Sequence, residues 1–125
     1  MNELSIEDLL EGIVKEDARY HVNGYHFVRE GLDYTVKKLK SPRHVKGGEL
    51  LEGIREYALA EFGPISRRVL AEWGINECAD IGHIVFNLVH AGLLGKTEED
   101  SIEDFESGYD FNEAFLRPFQ PETVR

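Results

Sequence analysis

Apolar residues recur at helical spacing through most of this chain and lose that spacing near its end. Ser5, followed three residues later by Asp8 and then by Leu9 and Leu10, has the form of a capping box with a short acid, which predicts a helix over 6–15. A second helix is expected over 24–40, where Val28, Leu32, Thr35, Val36 and Leu39 share a face and Ser41-Pro42 ends the run. A third spans 48–62, with Leu50, Leu51, Ile54, Ala58 and Phe62 on one side and Gly63-Pro64 as its stop. Pro64 suits the first turn of a fourth helix that Gly74 closes after Trp73. The fifth, over 79–93, is the most apolar: Ile81, Ile84, Val85, Leu88 and Val89 form a stripe that Phe86 and Leu93 widen, so most of its circumference should be buried.

Beyond Gly95 the pattern breaks into short polar stretches around Ile102, Phe105, Tyr109 and Phe111, with Ser107-Gly108 as a turn signal, and a small β-hairpin over 94–111 is expected. Asn112 is a candidate cap for a last short helix before Pro118. The octets "SIEDLLEG" from Ser5 and "SIEDFESG" from Ser101 echo one another without extending into a repeat. The expected architecture is therefore mainly α: one domain over 1–125, with an N-terminal helical pair packed on a winged-helix-like half of three helices plus the hairpin. Residues 4–117 are the expected ordered core, and 118–125, with two prolines, are expected to fray.

A winged helix raises the question of DNA, and charge answers it. The chain carries 24 acidic against 14 basic residues, a net charge of −10. The fifth helix, which would have to read bases, has no lysine or arginine between Ala79 and Gly95. The expected wing holds eight acids between Lys96 and Arg117 and no base, so the term that dominates nucleic-acid affinity has the wrong sign. DNA is therefore not the expected partner. No apolar run is long enough to span a membrane, and the opening MNELSIEDLL lacks a basic region ahead of an apolar stretch, so neither membrane nor secretory signal is expected. With the single Cys78 excluding an internal disulfide, a cytoplasmic location is the expectation.

The strings "YHFVREGLDYTV", "HVKGGELLEGIREYALAEFGP", "VLAEWGI" and "DIGHIVFNLVHAGLLGKTEEDSIEDF" together resemble a bacterial family of planctomycete and verrucomicrobial genomes that carries only a placeholder name. The resemblance covers residues 10–115. It implies no activity, cofactor or catalytic residue.

Candidate chemistry is sparse. Asp80, His83, Asn87 and His90 fall at spacings of three, four and three, on one narrow face opposite the apolar stripe. Asp80 and His83 are candidate metal ligands, or an acid orienting a base; His90 lies two turns on, too far to join them, and a third ligand would come from His21, His26 or His44. The same face also reads as the helix's polar edge, hydrogen-bonded or solvated, which is the favoured reading. "RYHVNGYHF" could line a pocket or pack as core with polar tips outward. Cys78, with no histidine beside it on its helix face, reads as a small inert thiol. Glu98, Glu99, Asp100, Glu103 and Asp104 lack the spacing of a calcium loop and form a candidate partner-binding acid cluster. Lys37, Lys38, Lys40 and Arg43, within "KKLKSPRHVK", form a candidate anion or RNA contact, or a counterpart of the acidic tail.

No phosphate loop, nucleophile with base or closed metal set is present, and no cofactor is implied. The expected function is protein interaction: a small acidic adaptor or oligomerising module. The alternatives are a metal protein or enzyme on Asp80 and His83, and RNA or anion binding through 37–46.

Overall fold

The computed structural model describes residues 5–41, 43–95, 102–106 and 108–120. It is mainly helical. Among the described residues six α-helices follow in order, α1 (Ile6–Glu16), α2 (Val22–Lys37), α3 (Gly47–Phe62), α4 (Ser66–Glu72), α5 (Cys78–His90) and α6 (Phe111–Phe115), with 3-10 turns at Gly63–Ile65, Ile102–Phe105 and Arg117–Phe119. No described helix is long and apolar enough to cross a membrane.

Local sequence sets several of these boundaries. Ser5 and Asp8 close a reciprocal capping box, the Ser5 hydroxyl accepting from the Asp8 amide at 3.1 Å and the Asp8 carboxylate from the Ser5 amide at 3.3 Å. Gly74 ends α4 at a φ of 88°, and the Ile75 amide reaches back to the Leu70 carbonyl at 2.8 Å. That glycine has a second reason: a Cβ there would lie 2.2 Å from the Arg19 carbonyl, so the end of α4 can approach the α1–α2 connection only without a side chain.

Helices α2 and α3 form the most extensive pairing. Small residues allow it. A Cβ on Gly53 would lie 1.8 Å from the Thr35 hydroxyl, and one on Gly31 would lie 2.3 Å from Ile54 Cδ1. Thr35 is buried at this crossing and its hydroxyl donates to the Gly31 carbonyl at 2.7 Å, so the close approach leaves no polar group stranded. Helix α5 packs on α2 and α3, burying Ile81, Ile84 and Leu88. Phe27, Tyr57, Phe62 and Trp73 make an aromatic cluster, with centroids 5.4–5.7 Å apart around Phe27, at the far end of the α2–α3 pair.

The region expected to form a wing differs. There is no strand among the described residues, and Ile102–Phe105 is a 3-10 turn. Its anchor is Phe105, buried across Gly82 of α5 with its ring tip at Gly47 of α3; Cβ atoms at those glycines would come within 2.7 and 3.3 Å of it. A single aromatic held in a glycine-lined slot replaces the period-two alternation that a hairpin needs. Tyr109 and Phe111 turn inward onto Phe115 rather than pairing across strands, with centroids at 6.0 and 4.9 Å. The rest of the expected hairpin, residues 96–101 and 107, lies outside the described residues. The cap of α6 is Asp110, which accepts from the Asn112 and Glu113 amides at 2.9 and 3.1 Å, and not Asn112. The expected tail begins as a 3-10 turn through Phe119.

Candidate functional site

Helix α5 presents two contrasting faces. On one, the polar stripe read from the spacing is a closed hydrogen-bonded seam. The buried Tyr20, just ahead of α2, donates its hydroxyl to Asp80 Oδ1 at 2.7 Å and meets His83 Nδ1 at 3.1 Å. A phenol has one proton, and the carboxylate can only accept it. His83 therefore donates from Nδ1 to the phenol oxygen. Burial first, then the bond to Asp80, pushes the Tyr20 phenol above its usual range.

Asp80 is engaged at both of its oxygens. Its Oδ2 accepts from the Asn76 amide at 2.8 Å and the Glu77 amide at 3.1 Å, capping the start of α5. Two turns on, Asn87 splits its two amide protons between Asp17 Oδ2 and the Tyr25 hydroxyl, both at 3.0 Å. Asp17 in turn holds Arg19 by two side-chain bonds of 2.7 and 2.9 Å, and this guanidinium keeps its carboxyl well below the usual range. Arg19 also lies over the Tyr20 ring, 5.1 Å from its centroid. The seam thus ties the α1–α2 connection to α5 through residues 60 to 70 positions apart.

Asp80 and His83 are brought together, but through Tyr20. His21, His26 and His90 lie elsewhere. His21 caps α2, accepting from the Asn23 amide at 3.0 Å; His26 pairs with Glu7 at 3.0 Å; His90 is exposed beyond the seam. Among the described residues no group of three or more histidine, cysteine or acidic side chains converges as a metal site. The aromatic and imidazole residues of "RYHVNGYHF" divide between core and surface: Tyr20, Tyr25 and Phe27 are buried, while His21 is exposed. Cys78 is buried, its thiol set against the Tyr109 backbone at 3.4 Å, and burial pushes it up, as expected of an inert thiol.

The other face of α5 is open and apolar. Val85, Phe86 and Val89 of α5 and Leu32 and Val36 of α2 line a cleft of about 290 Å³, with Phe105 toward the Gly82 end of α5 and Leu94 beyond its other end. Val36 is 39% exposed within it. The volume is near the lower limit of about 300 Å³ for small-ligand sites, and a lining this apolar is uncommon on the surface of an acidic chain. Arg43 and His44 stand at its edge.

The charged candidates divide sharply. Lys38 is bonded to Glu56, and Arg43 makes a two-pronged pair with Glu49 at 2.7 and 2.9 Å, which draws Glu49 down to about 2. Lys38 and Arg43, two of the four residues of the expected anion site, are thus matched by carboxylates of α3 rather than of the acidic tail; Lys37 and Lys40 are exposed. Of the acid cluster, Glu103 and Asp104 are exposed on the 3-10 turn that carries Phe105, and Glu98, Glu99 and Asp100 lie outside the described residues.

Sequence reasoning missed Asp17, Arg19, Tyr20 and Tyr25 as the partners of the α5 stripe, and it missed the cleft. One signal was present for each: "DARY" sets an ion pair beside an aromatic between two helices, and α5 is more apolar than one buried face requires. Comparison with protein-family models, with curated proteins and with solved structures finds no match to this chain.

Proposed function

We propose that this protein is a small acidic protein-interaction module whose contact surface is the apolar cleft between α2, α5 and the Ile102–Phe105 turn. The observation that carries the reading is the cleft itself: valine, leucine and phenylalanine side chains from three elements converge there, with Val36 exposed and Leu32, Val85, Phe86 and Val89 half-buried. Such a concavity accepts one or two large apolar anchors, the arrangement in which a few buried side chains supply most of the energy of a protein contact. Arg43 and His44 line it and Glu103 and Glu106 lie exposed nearby, so its rim carries both signs and the apolar centre carries the contact.

The winged-helix-like order of α3, α4 and α5 belongs to this reading as scaffold. The absence of lysine and arginine from Ala79 to Gly95 argues against nucleic acid on α5. Rival readings draw less support. Asp80 already caps its helix and accepts from Tyr20, so a metal would have to displace two amides and a phenol. Lys38 and Arg43 would have to leave their carboxylates to bind an anion.

A photo-crosslinking side chain placed at Val36, in native cells, tests the proposal against the same group at Glu72, exposed on α4. One protein adduct formed from Val36, absent from Glu72 and lost when Val89 is replaced by lysine, is the expected result. Equal adducts from both positions, or none from Val36, would mean that the cleft is not the contact surface.

A further inference from the structure

We infer that this protein carries a second contact surface, the rings of Tyr57, Phe62 and Trp73 with the carboxylates of Glu30 and Glu61, and that it receives an arginine of a basic partner protein. Aromatic rings run in unbroken contact along one side of the α2–α3 pair and onto the end of α4. Tyr34 meets Tyr57 at 5.4 Å between centroids, Tyr57 meets Phe27 at 5.4 Å, and Phe62 and Trp73 each lie 5.7 Å from Phe27 and from one another. Phe27 is buried and the other four are half-buried, so the ladder is anchored in the core and reaches the surface. Glu30 and Tyr34 stand two residues before Leu32 and Val36, about 200° around α2, which puts the ladder on the opposite side of that helix from the cleft.

One end of the ladder already holds a cation. Lys38 Nζ stands 5.3 Å from the Tyr34 centroid while it pairs with Glu56, and the Tyr34 hydroxyl donates to the same Glu56 oxygen at 3.4 Å. The ammonium is thus shared between a ring and a carboxylate. One turn along, the same elements recur without the cation. Tyr57 donates to Glu30 at 3.0 Å, and Glu61 follows one turn later on α3. Both acids are exposed, and among the described residues neither has a salt bridge, although Arg29 adjoins Glu30 in sequence. No cation of the described chain lies over the Tyr57, Phe62 or Trp73 ring. Burial first, then the bond to Glu30 and the charges of both acids, push the Tyr57 phenol up to about 12. Arginine fits this gap better than lysine, because its planar guanidinium stacks on a ring while its N–H groups reach a carboxylate at the ring's edge. The net charge of −10 draws a basic partner toward the chain.

Trp73 is the single tryptophan of the chain and lies in this surface, so its fluorescence reports on it directly. The full chain is titrated with a peptide of alternating glycine and arginine, then with peptides in which lysine or the uncharged citrulline replaces arginine. The arginine peptide should give a saturable change that weakens with salt, the lysine peptide should bind severalfold more weakly, and the citrulline peptide should give no change. Glu30→Gln combined with Glu61→Gln should weaken the arginine peptide by about tenfold, the loss of two exposed ion pairs. Glu103→Gln combined with Glu106→Gln removes the same charge at the Ile102–Phe105 turn and should change the affinity by no more than about twofold, since distant exposed charges are screened. All four acids are exposed, so both variants should fold as the wild type does, which thermal unfolding verifies. No saturable change with the arginine peptide, equal binding of the lysine or citrulline peptide, or a loss from the Glu30 and Glu61 pair no larger than from the Glu103 and Glu106 pair would each overturn the inference; the last would leave only attraction by net charge. The crosslink from Val36 is independent of every one of these outcomes.

Discussion

The two faces of α5 are built on the same thirteen residues and solve opposite problems. The seam side brings a carboxylate, an imidazole and an amide toward the α1–α2 connection and gives each a partner from it, so what the spacing offers as a site is consumed in holding the fold. The cleft side has no chemistry to offer and is left open. Polar residues at helical spacing therefore mark function only when their hydrogen-bonding capacity exceeds what the fold uses. Here the unspent resource is apolar surface.

The sharpest way to break this contrast is to remove the residue that joins the cleft to the core. Phe105 is buried at the end of the cleft, against Gly82 of α5 and edge-on to Phe86 at 6.1 Å. Phe105→Ala should cost about 3–5 kcal/mol, the range for a buried phenylalanine whose slot cannot collapse, read as a lowered denaturant midpoint at unchanged slope. Gly82→Val should approach the same loss by expelling the ring. A cost below about 1 kcal/mol for both would show that the turn rests on the surface and that the cleft has no fixed end.

A smaller effect is expected from the seam. Tyr20→Phe leaves the His83 imidazole and one Asp80 oxygen without their shared partner, worth about 1–3 kcal/mol where the groups are not fully wetted. Stability alone would not distinguish this from lost packing. The nitrogen resonances of His83 do: the wild type should show the proton on Nδ1, and Tyr20→Phe should shift the ring toward the ordinary mixture dominated by the other tautomer. A wild-type His83 protonated on Nε2 would reverse the direction of the Tyr20 bond and detach it from Asp80.

How much of this was legible depended on distance along the chain. The α1 cap could be read because Ser5 and Asp8 are three residues apart and the signal is complete within one turn. The stripe of Asp80, His83 and Asn87 could be read as a shared face for the same reason, but its occupants, Tyr20 and Asp17, come from the other end of the sequence, and no local pattern announces them. The repeated "SIED" marks the limit of local reading. After Ser5 it is followed by Leu9-Leu10 and later Ile13 and Val14, which sustain a stripe and a helix; in the second copy Phe105 stands alone ahead of Glu106, and the described part of the octet is a 3-10 turn. A hairpin was expected there because scattered aromatics resemble a strand when the glycines that receive them, Gly47 and Gly82, lie far off in sequence.

Acid separates the two faces by the smallest and most specific effect. Asp17 is held below its ordinary value of 3.8 by Arg19 and Asn87, so in the unfolded chain it binds a proton at a pH where the folded chain does not. Unfolding then takes up protons, and stability rises with pH across that interval: the contribution is complete above about pH 4 and is lost as pH falls through the lower folded value. Glu49, drawn from 4.5 to about 2 by Arg43, titrates in the same window and has the same sign. The two should not count equally. The Asp17 side chain is 20% exposed and its ion pair is backed by Asn87, whereas Glu49 is 37% exposed and answers to solvent and salt. Asp17→Asn should therefore flatten the fall in stability below pH 4 more than Glu49→Gln does, and the difference should persist at high salt, where the exposed pair is screened. Val36→Lys, on the apolar side, should leave that slope unchanged. If instead Glu49→Gln flattens it more, the seam is wetter than its hydrogen bonds imply, and the contrast between a spent face and an unspent one loses its electrostatic half.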